Sequence, residues 1–216
     1  MSVEIKFCGM TREEDIAMAV ALGATYVGVI LAAGPRHVSA AQARRILDTA
    51  SGSAKRVGVF AGHTDDEIVR AAHDAALDIV QLHDGVTSVR VQALRERLSL
   101  PVWAVVPVRE AASLGAVAAL DDVADGVLLD SVTAAGGSGG TGTPFDWHLL
   151  ARAQRPCHAM LIAAGGLNPD NVAAAIRVLS PSVVDVSSGV ERIPGIKDHD
   201  RMRAFTAAVR QASGET

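Results

Sequence analysis

Short runs of Val, Ile and Leu recur along the chain, each closed by Gly, Pro, Ser or Asp, and stretches of helical period lie between them. The runs predict strands over residues 3–8, 25–31, 56–60, 78–83, 102–106, 125–130, 160–163 and 183–187. The stretches between predict helices over 12–22, 40–50, 65–76, 88–98, 111–120, 171–179 and 200–211. Thr11 with Glu14, and Thr64 with Glu67, have the spacing of a capping box, in which a hydroxyl and a carboxylate satisfy the open N–H groups of a first turn. Successive strands start roughly 22 to 35 residues apart, which is one strand–helix unit at a time.

Eight strands alternating with helices in 216 residues predict a single α/β domain over residues 1–216, folded as a (β/α)8 TIM barrel. A doubly wound open sheet is the weaker alternative, because it needs fewer units and a switch in strand order. The long irregular stretch 131–144 follows the sixth strand and is read as a flap over the barrel mouth. Gly137 to Gly142 satisfies G-x-G-x-x-G, but it begins seven residues past its strand. It also lacks the acidic residue that a dinucleotide site places about 20 positions on.

Composition narrows the class. Apolar residues make up 49% of the chain and aromatic ones only 3%, so the interior rests on Ala, Val, Leu and Ile. The net charge of −4, with no basic run, argues against nucleic acid and anionic membranes as partners. No apolar run approaches the roughly 18 residues of a membrane span, and the first residues lack the pattern of a signal peptide. Cys8 and Cys157 cannot make a disulfide framework, so a reducing, cytoplasmic setting is expected. Cys157, before the seventh strand, is read as structural.

In a barrel the chemistry gathers where strands end and loops begin. Strand alternation puts Cys8 on one face with Lys6 and Glu4, Asp130 with Leu128, His83 with Gln81 and Ile79, and Asp185 with Ser187. Val3, Ile5 and Phe7 fall on the helix-facing side. Cys8, His83, Asp130 and Asp185 are therefore expected to converge on one mouth, without metal-ligand spacing. Ordinary roles stay open: Cys8 as a small buried hydrophobe, Asp130 as a cap, Lys6 and Asp185 as an interior ion pair. Gly165–Gly166 ahead of Asn168–Pro169, read as a helix start, and Ser188–Gly189 after the last strand, leave backbone N–H groups open to an anion. A phosphorylated ligand is expected at Gly166, Ser188 and Gly189, between the loops after strands seven and eight.

The motifs Lys6-Phe7-Cys8-Gly9-Met10-Thr11, Pro35-Arg36-His37-Val38-Ser39, Gln81-Leu82-His83 and Leu128-Leu129-Asp130-Ser131 occur in order with Gly165-Gly166-Leu167-Asn168-Pro169. Asp185-Val186-Ser187-Ser188-Gly189-Val190-Glu191 and Pro194-Gly195-Ile196-Lys197-Asp198 follow. Together they resemble the phosphoribosylanthranilate isomerases. The resemblance implies a cofactor-free Amadori rearrangement of N-(5-phosphoribosyl)anthranilate in tryptophan biosynthesis, with a small sugar phosphate as partner and a monomer or homodimer as the assembly. It implies Asp130 as general acid, Cys8 as general base, aided by the charge of Lys6 or of the substrate iminium, and Arg36 against the anthranilate carboxylate. Asp185 and His83 join the substrate-binding set. The second loop, Leu31 to Arg36, departs from the aromatic-bearing run of many relatives, and Trp103 of the fifth strand is the expected substitute beside the anthranilate ring. A ribulose-phosphate epimerase needs a metal-ligand set, and the related histidine-pathway isomerase is built from two similar halves; neither pattern is seen in the sequence. A non-catalytic sugar-phosphate binder would not need Cys8 and Asp130.

Overall fold

The computed structural model describes residues 2–50, 52–108, 114–131 and 158–214. The flap residues 132–144, Cys157 and the first residues of the fifth predicted helix lie outside these. Eight parallel strands close into a barrel in sequence order: β1 Glu4–Phe7, β2 Tyr26–Ile30, β3 Lys55–Phe60, β4 Ile79–Leu82, β5 Val102–Val108, β6 Gly126–Ser131, β7 Met160–Ala164 and β8 Val183–Val186. Each lies within two residues of its predicted span, as expected of strands buried on both faces, whose apolar runs are nearly continuous. Around them pack α1 Glu13–Ala21, α2 Ala40–Leu47, α3 Asp65–Asp74, α4 Ser88–Leu98, α5 Leu114–Leu120, the helix Val172–Leu179 and the C-terminal helix His199–Ser213. No described helix is long and apolar enough to cross a membrane.

The apolar side chains divide into two layers. Between strands and helices lie Ile5, Phe7, Val27, Leu82, Val106 and their neighbours, with Phe7 6.0 Å from the ring of Phe205 on the C-terminal helix. Inside the barrel lie Tyr26, Val57, Ile79, Trp103, Val105, Leu128 and Ile162. Trp103 therefore does not face an anthranilate ring at the mouth. It is buried edge-on to Tyr26, ring centroids 4.9 Å apart, and the Tyr26 hydroxyl donates to Glu4 at the start of β1, so the pair fills the opposite end. Alternation turns Trp103 inward; its register beside Gly126, the first residue of β6, sets it low in the barrel.

Two local expectations separate. The Thr64–Glu67 box forms, with the Glu67 N–H donating to the Thr64 hydroxyl and the Thr64 N–H to the Glu67 carboxylate. The Thr11 box does not. Helix α1 starts after Arg12, which gives no side-chain cap, and the Thr11 hydroxyl donates to the carbonyl of Gly195. Arg12 instead grips Asp15 with two hydrogen bonds of 2.9 and 2.7 Å. Asp15 is fully buried, meets His199 Nε2 at 2.8 Å and accepts from the Lys197 N–H at 3.2 Å. This network ties the first turn of α1 to the short hairpin of β9 Glu191–Ile193 and β10 Ile196–Lys197, which flanks the mouth.

Candidate active site

The register of β1 against β8 pairs Lys6 with Asp185, and their side chains meet inside the barrel, Nζ to Oδ2 2.9 Å. The room for this comes from Gly28 of β2. A Cβ there would lie 3.1 Å from Cys8 Sγ, 3.1 Å from Lys6 Cε and 3.2 Å from Lys6 Nζ. Gly28 thus leaves space for the thiol and the ammonium side by side. Lys6 is wholly buried; burial opposes its charge, but Asp185 and Cys8 outweigh it and raise its pKa. It stays an ammonium, as one member of a buried pair must.

Cys8 is buried too, and here burial prevails. It pushes the thiol above its ordinary range, assisted by the negative charge of Asp185 and only partly offset by Lys6 and Lys197. Lys6 favours the thiolate, as expected, but desolvation exceeds its effect. Asp130, at the end of β6, is one quarter exposed. Burial raises its pKa as well; His83 opposes the shift and Asp185 adds to it. His83 Nε2 lies 3.8 Å from Asp130 Oδ2. Cys8 and Asp130 thus both feel the charge of Asp185, and His83 stands beside Asp130, in keeping with the inward faces that alternation predicts. Asp185 Oδ1, Gln81 Oε1 and Ser187 Oγ are buried with no hydrogen-bond partner among the described residues. Such atoms are costly unless something completes them.

Beside the mouth, Gly166, Asn168, Ser188 and Gly189 line a cavity of about 460 Å³. Gly165 and Gly166 have φ of 83° and 66°, a pair of left-handed residues that only glycine adopts cheaply. Asn168 is not the first residue of a helix: its side chain accepts from the N–H groups of Asp170 and Asn171, and the helix begins at Val172. Gly189 stands against the Leu167 carbonyl so closely that any Cβ would collide with it. Arg201, on the C-terminal helix, also lines the cavity. It was not anticipated, although a basic residue three positions after the Lys197–Asp198 motif was there to be read.

Arg36 extends from the loop after β2, one fifth exposed, and is already engaged. Glu191 takes it bidentately, and Lys197 donates to the same carboxylate at 2.9 Å. Neither Glu191 nor Lys197 was singled out from the sequence. Both lie inside the motifs at 185–191 and 194–198, but nothing in a linear reading marks them as buried. Burial works against the charge of each. Arg36 and Lys197 overcome it and hold Glu191 below its ordinary value, whereas for Lys197 burial outweighs Glu191 and the pKa is lowered.

The family model of N-(5'phosphoribosyl)anthranilate (PRA) isomerase matches residues 5–208. An N-(5'-phosphoribosyl)anthranilate isomerase of Chelativorans sp. is 43% identical over 218 residues, covering 100% of this chain and 99% of that one. The protein of the same name from Paramagnetospirillum magneticum is 40% identical, covering 97% and 98%. Among solved structures, phosphoribosyl anthranilate isomerase from Thermotoga maritima superposes with a TM-score of 0.83 at 34% identity, covering 98% of this chain and 99% of that one. A phosphoribosyl anthranilate isomerase in complex with reduced 1-(o-carboxyphenylamino)-1-deoxyribulose 5-phosphate superposes with a TM-score of 0.80 at 32% identity, covering 98% and 99%.

Proposed function

The chain belongs to the N-(5'-phosphoribosyl)anthranilate isomerase family, and from that premise we propose how its residues carry out the Amadori rearrangement of N-(5-phosphoribosyl)anthranilate to 1-(2-carboxyphenylamino)-1-deoxyribulose 5-phosphate. It is an isomerase of tryptophan biosynthesis. The observation that supports the assignment of roles is that a carboxyl and a thiol, both pushed upward by burial, each lie within electrostatic reach of Asp185.

Asp130, protonated further toward neutrality than an ordinary carboxyl, donates to the furanose ring oxygen as the C1–O bond breaks. The anilinic nitrogen lone pair then forms the iminium. Cys8 as thiolate removes the C2 proton, and the C–H electrons form the enamine. Return of that proton from the Cys8 thiol to C1, with loss of the C2 hydroxyl proton to the Asp130 carboxylate, yields the ketose and restores both groups. The iminium adds a positive charge that the free site lacks, and this favours the thiolate when it is needed. The unpartnered Oδ1 of Asp185 accepts from a ribose hydroxyl. His83 stands beside the acid.

The phosphate is placed in the cavity of Gly166, Ser188 and Gly189, on backbone N–H groups with Arg201 at its wall. Gly189→Ala is expected to lower affinity for the reduced product about 10-fold or more, since its methyl must part the two phosphate loops. Ser188→Ala, which leaves the backbone donors intact, should cost no more than a few-fold. Isothermal titration of both variants checks this pair, and the reverse order of effects overturns the phosphate placement.

Arg36 receives the anthranilate carboxylate. Arg36→Lys is expected to raise KM about 10-fold while lowering kcat less, because a point charge replaces a planar fork that must serve Glu191 and the substrate together. A fall confined to kcat would place Arg36 in the chemical step. The overall assignment is tested by mixing the protein with freshly generated phosphoribosylanthranilate and following its fluorescence. Protein-dependent decay is expected, and decay at the buffer rate overturns the assignment.

A further inference from the structure

A guanidinium carries five N–H donors around one plane and offers a carboxylate more than one edge. In Arg36 the Nε–Nη2 edge is taken: Nε lies 2.8 and 3.1 Å from the two oxygens of Glu191, and Nη2 lies 2.6 Å from Oε2. No described residue accepts a hydrogen bond from Nη1. Glu191 is itself held from behind, its Oε1 accepting from Lys197 Nζ at 2.9 Å and from the Gly195 N–H at 3.2 Å. Lys197 Nζ donates also to the Ser187 carbonyl at 3.1 Å, and its side chain is wholly buried. The stem of Arg36 passes over Gly9, the residue after the candidate base, so closely that a Cβ there would lie 2.7 Å from Cδ.

We propose that Glu191, braced by Lys197, is a positioning residue that locks the Arg36 guanidinium and leaves its Nη1–Nη2 edge for the carboxylate of the substrate, making the site selective for carboxylated anilines. The inference rests on the reading of Arg36 as the partner of that carboxylate. Glu191 alone would cancel the charge of Arg36 and weaken its hold on an anion. Lys197 Nζ, which donates to Glu191 and to the Ser187 carbonyl, shares that carboxylate with Arg36, so the hold of Glu191 on the guanidinium is divided while the fork is fixed in place. A long side chain loses its rotamer freedom in the folded protein beforehand rather than on binding.

The test compares two stable ligands, the reduced product and its counterpart without the ortho-carboxylate, in the parent, Glu191→Gln, Arg36→Met and the double variant. Glu191→Gln is expected to weaken the carboxylated ligand about 10-fold, the scale of one charge-assisted hydrogen bond, and to raise KM similarly with kcat nearly unchanged. The ligand without the carboxylate should bind as in the parent, and the double variant should be no worse than Arg36→Met. Equal weakening of both ligands, or additive effects in the double variant, overturns the positioning role while leaving Arg36 in its own. If Arg36→Met binds both ligands as the parent does, the reading of Arg36 fails and the proposal falls with it. Should Glu191→Gln fail to fold because it strands the Lys197 ammonium, Lys197→Met in the same chain removes that charge, and the same comparison decides.

Discussion

Asp130→Asn is expected to lower kcat on the order of 10²-fold or more, with unfolding temperature and affinity for the reduced product close to the parent. The amide fills the volume of the carboxyl, and the site loses only the acidic proton that the ring oxygen needs. Asp130 is suited to hold that proton because burial and the charge of Asp185 raise its pKa against the opposing effect of His83. The side chain is one quarter exposed and 3.8 Å from His83, so the substitution breaks no buried ion pair of the kind formed by Lys6 and Asp185. Steady-state kinetics with calorimetric binding checks the separation. Near-parental turnover would remove Asp130 from the acid role. Full loss of product binding would make it a binding residue instead.

The strands and the inward turn of the reactive side chains were legible because both follow from period-two alternation and apolar runs, which need no knowledge of distant partners. Lys6 and Asp185 could be placed on inward faces and their pairing foreseen. The Arg36–Glu191–Lys197 cluster could not, since its partners stand 155 and 6 residues apart and meet only through the closed barrel and the hairpin after β8. Asp15 misleads in the same way. An acidic residue in a first helical turn reads as solvent-facing, yet this one is buried between Arg12, His199 and the backbone of Lys197. Thr11 has the right spacing for a cap, but the Gly195 carbonyl competes for its hydroxyl, and that carbonyl arrives from the far end of the chain. For Cys8 the charges nearby were visible in the sequence, whereas the depth of burial that outweighs them was not.

Cys8→Ser is expected to reduce kcat on the order of 10²-fold or more, because a hydroxyl of the same shape ionises far less readily than even a raised thiol. The pH dependence separates the two roles. Turnover requires Asp130 protonated and Cys8 ionised, and burial moves both groups upward from ordinary values of 3.8 and 9.0. Because one group must be protonated and the other ionised, kcat/KM in the parent is bell-shaped, its two limbs set by the carboxyl and the thiol. In Asp130→Asn the residual rate follows thiolate alone, so it climbs through neutral pH and levels off above the thiol pKa without an alkaline fall. In Cys8→Ser the residual rate follows the protonated carboxyl alone, so it declines as pH rises through the carboxyl pKa. The two variants should therefore slope in opposite directions at pH 7, measured as kcat/KM on the same substrate. A residual rate that fails to rise with pH in Asp130→Asn overturns Cys8 as the base, and one that fails to fall with pH in Cys8→Ser overturns Asp130 as the acid.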